Sequence, residues 1–203
     1  MKNIIAAATL GLGLISAPAI AVPIGGIDFD ANAFADVLLG SSGSFTTSGG
    51  SLSDVLTDND AGSYAFSWSP GAWVELGFTD NVVVNGVGDD IALFELGIPD
   101  SFELSLSLGG STISGTTTST GIMVGGYMLN MVTFNLDDLG VAFGDSISEL
   151  VIGMDLTTGF TVPSLTLAAA IHSADVPEPA ALGLLGLALA GMGVMRKRQS
   201  IKV

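Results

Sequence analysis

The residues best placed to do chemistry in this chain are oxygen donors on bendable turns. Asn85, Gly86, Val87, Gly88, Asp89 and Asp90 run consecutively, so one glycine-bearing turn carries an amide and two adjacent carboxylates, and Asp58, Asn59 and Asp60 form a second acidic loop. Hard oxygens on a flexible turn are what Ca²⁺ takes, at about six to eight positions. Neither loop follows the EF-hand spacing, and turns favour Asp and Asn for backbone reasons of their own. What tips the reading towards calcium is the lack of another countercharge. All five basic residues (Lys2, Arg196, Lys197, Arg198, Lys202) sit near the two ends, while the twenty carboxylates fall between Asp28 and Glu178. Asn85, Asp89 and Asp90 are therefore the candidate metal ligands, and Ca²⁺ the candidate cofactor.

Catalytic chemistry is scarcer. His172 is the one histidine, and with no Cys, Lys or Arg near it in sequence it reads as a strand-end residue. A Ser-His-Asp triad has no GxSxG elbow to support it. A glycosidase needs two carboxylates, and Glu75, Glu95 and Glu103 lie on candidate strands, but nothing pairs any two and strand periodicity turns them to solvent. No catalytic residue is assigned. A sugar contact needs an exposed aromatic, for which Tyr64, Trp68, Trp73 and Tyr127 are available. Tyr64, Phe66 and Trp68 alternate along one strand, so they share a face and read as core. Trp73 follows the Ser69-Pro70-Gly71 turn and is the preferred ligand contact.

The elements that must position these groups are strands. In SFELSLSL, residues 101–108, Phe102, Leu104, Leu106 and Leu108 alternate with Ser and Glu, as a half-buried strand requires. Further strands are expected over 64–68, 73–78, 82–84, 91–96, 128–134, 149–154 and 164–171, separated by Gly, Asn, Asp and Pro clusters. One short helix is expected over 32–39. The Gly, Ser and Thr runs 40–53 and 109–121 read as mobile surface loops. The fold class that follows is all-β, an antiparallel β-sandwich or jelly-roll ectodomain, flanked by an N-terminal signal peptide and a short C-terminal transmembrane helix.

Both ends carry addresses. Lys2, an apolar stretch from Ile4 to Ile15, Pro18 and the small-residue pattern Ala19-Ile20-Ala21 read as a signal peptide over 1–21, cleaved by signal peptidase after Ala21. At the other end Val176 leads into Pro177, Glu178 and Pro179, then a 16-residue apolar run over 180–195, then Arg196, Lys197 and Arg198. Prolines hold the neck extended, the apolar run partitions into lipid, and the basic triplet stays cytoplasmic. As a helix the run is about 24 Å long, short of a hydrocarbon core of about 30 Å, which suits a temporary anchor.

That order of parts, 176–199, resembles the PEP-CTERM sorting signal of Gram-negative bacteria that make extracellular polysaccharide. The resemblance implies recognition by an exosortase, cleavage near the Pro-Glu-Pro neck and delivery to the cell surface or beyond it. In the ectodomain, WVELGFTDNVVVNGVGDDIALFELG (73–97) and NLDDLGVAFGDSISELVIGMDL (135–156) are similar to blocks of bacterial surface proteins with a galactose-binding-like jelly-roll.

Charge bounds the partners. Residues 22–175 contain no Lys and no Arg, so this ectodomain cannot release counterions from nucleic acid or clamp anionic lipid. With no cysteine, disulfides play no part in a secreted fold that would otherwise invite them. The expected function is that of an exported, non-catalytic, exosortase-processed surface protein associated with extracellular polysaccharide. A calcium-assisted, lectin-like carbohydrate-binding module is the alternative, and a secreted hydrolase the third reading.

Overall fold

The computed structural model describes residues 22–107, 110–154 and 161–176. The signal-peptide residues Ala19 and Ala21, the neck Pro177, Glu178 and Pro179, the expected transmembrane run 180–195 and the basic triplet Arg196, Lys197 and Arg198 lie outside the described residues, as does Leu108.

In chain order the strands begin with β1 (Val22–Ile24), β2 (Ile27–Phe29), β3 (Val37–Ser42) and β4 (Phe45–Thr47). After the helix α1 (Leu52–Thr57) come β5 (Ala65–Ser67), β6 (Trp73–Gly77), β7 (Asn81–Val84), β8 (Ile91–Leu96) and β9 (Ser101–Ser105). β10 (Thr112–Thr116), β11 (Thr118–Val124) and β12 (Tyr127–Phe134) follow, and after a 3-10 turn at Leu136–Leu139 come β13 (Ser146–Ile147), β14 (Glu149–Gly153), β15 (Leu165–Ala170) and β16 (Ser173–Asp175).

Two antiparallel sheets make the sandwich, one in the order β10-β9-β14-β6-β3, the other β11-β12-β8-β15-β5-β4. The apolar parity of each strand meets between them: Val74 and Leu76 of β6, Phe102 and Leu104 of β9, and Leu150 and Ile152 of β14 join Ile91 and Leu93 of β8 in one buried cluster. Leu104 is fully buried while Glu103 is exposed, the alternation that SFELSLSL announces. β8 is buried along its whole length because both its faces are covered. Its other parity, Ala92, Phe94 and Leu96, packs into a second cluster with Ile24 and Phe29 from the β1-β2 hairpin. Phe29 meets Phe94 edge-on at 5.7 Å between ring centroids.

Two expectations fail. Residues 32–39 form no helix: Phe34 bridges to Ala169, and Val37 begins β3, which pairs with β6. The 3.6-like spacing of Phe34, Val37 and Leu38 is overridden by long-range pairing, helped by β-branched Val37. The helix lies instead at Leu52–Thr57, opened by a capping box in which Ser51 and Asp54 exchange side-chain and backbone hydrogen bonds. Nor are the Gly/Ser/Thr runs mere loops. They supply β4, β10 and most of β11, because Thr is β-branched and suits a half-exposed strand. Gly115 has a packing role as well. A Cβ there would stand 2.6 Å from Val132 Cγ2, so glycine lets β10 close against β12 of the opposite sheet.

Among the described residues no helix is long and apolar enough to cross a membrane.

Candidate functional site

β5 determines the site. Ala65 and Ser67 are small and buried, so the pleat turns Tyr64, Phe66 and Trp68 to the outer face of the six-stranded sheet. Their shared parity is as expected, but the face is not the core: Trp68 is 57% exposed. The rings form a row. Tyr64 and Phe66 stack with centroids 6.4 Å apart and planes 21° apart, and Phe66 meets Trp68 edge-on at 6.2 Å.

The row shares a groove of about 290 Å³ with Ile98 and Asp100 from the β8-β9 connection, Tyr127 at the start of β12, and Thr161 ahead of β15. Ile98 and Tyr127 are 68% and 56% exposed. Such a continuous apolar patch with a polar rim is uncommon on a solvated face unless something binds there. The connection is fixed in place: Gly97 N–H donates to the Met128 carbonyl at 2.9 Å, and Asn130 Nδ2 donates to the Gly97 carbonyl at 3.1 Å.

Beneath that connection lie two buried acids. Glu95 shares the inward parity of Ile91 and Leu93 and is 1% exposed, which corrects its assignment to solvent. Its Oε1 accepts from Asp100 N–H at 2.7 Å and from the Thr117 hydroxyl. Burial pushes the Glu95 carboxyl up to about 7, with the Asp100 charge adding to the rise and the Thr117 and Asp100 hydrogen bonds opposing it. Asp100 is 5% exposed and lines the groove. Thr161 Oγ1 donates to its Oδ1 at 2.5 Å, and Thr117 N–H to its carbonyl at 2.8 Å.

The turn over 85–90 shares its carboxylate oxygens among several protein donors. Asp90 is fully buried. Its Oδ1 accepts from Gly86 N–H at 2.7 Å and meets His172 Nδ1 at 2.8 Å, and its Oδ2 accepts from Leu136 N–H at 2.9 Å. Asn85 Nδ2 donates to Asp137 Oδ1 at 2.8 Å and to the Val141 carbonyl at 2.7 Å. Asp89 is exposed and takes the Thr133 hydroxyl. The fold therefore sends the two adjacent carboxylates to different partners. Gly86 is required by the imidazole beside it, since a Cβ would sit 2.4 Å from His172 Nδ1. In the second loop Asp58 Oδ1 accepts from Asp60 N–H at 2.9 Å, and Asp60 Oδ1 from Gly62 N–H at 2.8 Å, so these acids hold turns. Among the described residues no three His, Asp or Glu side chains converge on a metal position.

Trp73 is half-buried on the five-stranded sheet, where it and Glu103 border a second hollow of about 260 Å³. Glu75 and Glu103 belong to β6 and β9 with β14 between them. His172 keeps Asp90 as its partner, and among the described residues no serine completes a triad.

At the end of the fold, β16 pairs with β7, and Val176 N–H donates to the Asp80 carbonyl at 3.0 Å. Residues 175–198 match the family model of the PEP-CTERM protein-sorting motif. The motif thus begins on the last residue of β16. It marks the chain as an exported protein with an exosortase-processed C-terminal anchor, consistent with a place at the cell surface or outside the cell. No curated protein and no solved structure matches the chain, so the galactose-binding-like resemblance of 73–97 and 135–156 gains no support beyond the sandwich architecture itself.

Sequence reasoning named Tyr64, Trp68 and Tyr127 as available aromatics but preferred Trp73. It missed Phe66, Ile98 and Asp100 as groove residues. The signal was present in the small side chains of Ala65 and Ser67, which suit the crowded inner face and leave the aromatics outside.

Proposed function

We propose that this is a non-catalytic surface protein that associates with extracellular polysaccharide through the groove of Tyr64, Phe66, Trp68 and Tyr127. The exposed aromatic row carries the reading. A hexose presents an apolar C–H face and a polar hydroxyl rim, and rings about 6 Å apart offer successive platforms for it, with amphipathic tyrosines at the margin. Export to the cell surface gives such a groove polysaccharide to meet. The carboxylates support a binding rather than a hydrolytic role: Glu95 is occupied beneath the groove wall by Asp100 N–H and the Thr117 hydroxyl.

The test is retention of the exported protein, purified as its host releases it, on that host's immobilised extracellular polysaccharide. Trp68→Ala and Tyr127→Ala, both at exposed positions, should each lower retention at least about tenfold, roughly 1.4 kcal/mol, with unchanged melting temperature. Full retention by both variants would refute the groove as the binding site.

Calcium assistance is a second reading, favoured by one observation: Asn85 Oδ1 is buried without a hydrogen-bond partner, and it is the kind of oxygen calcium takes. About 1 mM Ca²⁺ should then raise the melting temperature in about 0.15 M NaCl, where diffuse repulsion is already screened. Asp89→Asn with Asp90→Asn should remove that increment, and a calcium response equal to that of magnesium would remove the reading.

A further inference from the structure

We infer that the protein holds polysaccharide at a second site, on the outer face of the five-stranded sheet, and so bridges two stretches of glycan. This rests on the polysaccharide reading above for the class of ligand, a neutral, hydroxyl-rich glycan.

Strand parity builds the second site. Val74, Phe102, Leu104, Leu150 and Ile152 point into the core between the sheets, so Trp73, Glu103, Ser105, Val151 and Gly153 of the same strands face outward. Register then sets them side by side. Gly153 of β14 lies between Trp73 of β6 and Glu103 of β9, while Ser105 of β9 stands opposite Val151 on one side and Thr112 of β10 on the other. Together they border the hollow of about 260 Å³.

Two glycines make room for it. A Cβ on Gly40 would stand 3.4 Å from Trp73 Cζ3, and one on Gly153 would stand 3.0 Å from Glu103 Cβ and 3.3 Å from Glu103 Oε2. The indole thus leans over β3 and the Glu103 carboxylate leans over β14. Neither glycine has a positive φ, so it is space and not backbone conformation that asks for them. Glycine weakens a strand, and it persists where something must come close.

The groups on this face suit a sugar. An indole offers an apolar platform to sugar C–H groups and an N–H donor at its edge. Glu103 is exposed and without a protein donor among the described residues, and a carboxylate only accepts hydrogen bonds, so it calls for O–H donors from outside. The Ser105 and Thr112 hydroxyls both donate and accept. A neutral hexose answers all of these.

Bridging follows from where the two sites point. The groove lies on the outer face of the six-stranded sheet and the hollow on the outer face of the five-stranded one, across two sheets stacked about 10 Å apart. A straight glycan segment cannot lie on both. Double occupancy therefore ties together two chains or two distant stretches of one, and each site strengthens retention by the other.

The chain has two tryptophans, Trp68 in the groove and Trp73 beside the hollow, so each site carries its own reporter. The exported protein, as its host releases it, is titrated with that host's extracellular polysaccharide sheared to short soluble lengths. In Trp68→Phe all tryptophan emission comes from Trp73, and it should shift and saturate. Adding Glu103→Ala to that variant should weaken the response at least about tenfold, whereas Glu103→Ala in a Trp73→Phe background should leave the Trp68 response within about twofold. With unsheared polysaccharide the native protein should raise light scattering severalfold. Trp73→Ala should lose most of that rise although its Trp68 still responds.

Trp73 emission indifferent to polysaccharide, beside a responsive Trp68, overturns the second site and leaves the groove reading in place. Undiminished scattering with Trp73→Ala overturns it too, since paired copies binding through the groove alone then make the links. A Trp73 response without a Trp68 response overturns the groove and the bridging together. Silence from both tryptophans overturns every part of the polysaccharide reading. If Trp73→Ala fails to fold, Glu103→Ala in the two phenylalanine backgrounds decides.

Discussion

Two buried carboxylates flank one strand and are treated in opposite ways. Asp90, just before β8, gives its oxygens to two backbone N–H groups and faces an imidazole. Glu95, near the other end of β8, is as deeply buried and takes backbone N–H groups of Asp100 and Ser164 and the Thr117 hydroxyl, but has a second carboxylate as its charged neighbour. The difference teaches that burial alone does not decide what a carboxylate does. The kind of group facing it does. Asp90 has become a structural clasp, whereas Glu95 is held near neutrality as a proton-bearing post under the groove wall.

The most severe way to break this comparison is Asp90→Ala. It leaves the Gly86 and Leu136 N–H groups without their acceptor and strands His172, so a loss of about 3–5 kcal/mol is expected in urea unfolding. A loss under about 1 kcal/mol would mean that the clasp is decorative.

A somewhat smaller effect, on the order of 3 kcal/mol, should appear as a pH dependence owed to Glu95. Its folded-state value of about 7 lies above the ordinary value of 4.5, so the fold prefers the protonated form. The stabilisation is complete below about pH 4.5 and is lost as pH rises through about 7. Glu95→Gln, which is always neutral, should flatten this component of the unfolding free energy between those limits. An unchanged slope in that variant would assign the dependence to other acids.

Thr117→Val sharpens the comparison further by withdrawing the hydroxyl donor from Glu95. The carboxyl should rise further, and stability at pH 7 should fall by about 1 kcal/mol, with a smaller deficit at pH 4. Smallest of all is Asp89→Asn, one residue from the clasp but exposed, for which a change within about 0.5 kcal/mol is expected. Parity between Asp89→Asn and Asp90→Ala would invert the assignment of the two carboxylates.

Much of this was legible as parity, and much less as direction. Period two in Phe102 and Leu104 named both the strand and its inner face, because Ser and Glu occupied the other. Period two in Tyr64, Phe66 and Trp68 named a shared face without saying which, since aromatics serve equally in a core and on a platform. Glu95 follows Ile91 and Leu93 at the same parity, so its burial could be read once β8 was known to be covered on both sides, but that cover comes from a hairpin about 65 residues earlier. The expected helix over 32–39 failed for the same reason. Its strand partner β6 is remote in sequence, and local spacing cannot report it. The other groove residues, Ile98, Asp100, Tyr127 and Thr161, come from connections and from the first residue of β12, and their meeting is a product of topology.

The sorting motif starts where β16 ends, and this gives the molecule a mechanical order. Any tension entering through residue 176 is borne first by the Val176–Asp80 hydrogen bond and the three residue pairs of β16 with β7, reinforced by Asn32 Nδ2 on Asp175 and Ser173 Oγ on Asp30. Ala174 and Asp175 are exposed, so this strap lies outside the core between the sheets. β16 is thus the first element of the fold that a pull through residue 176 meets.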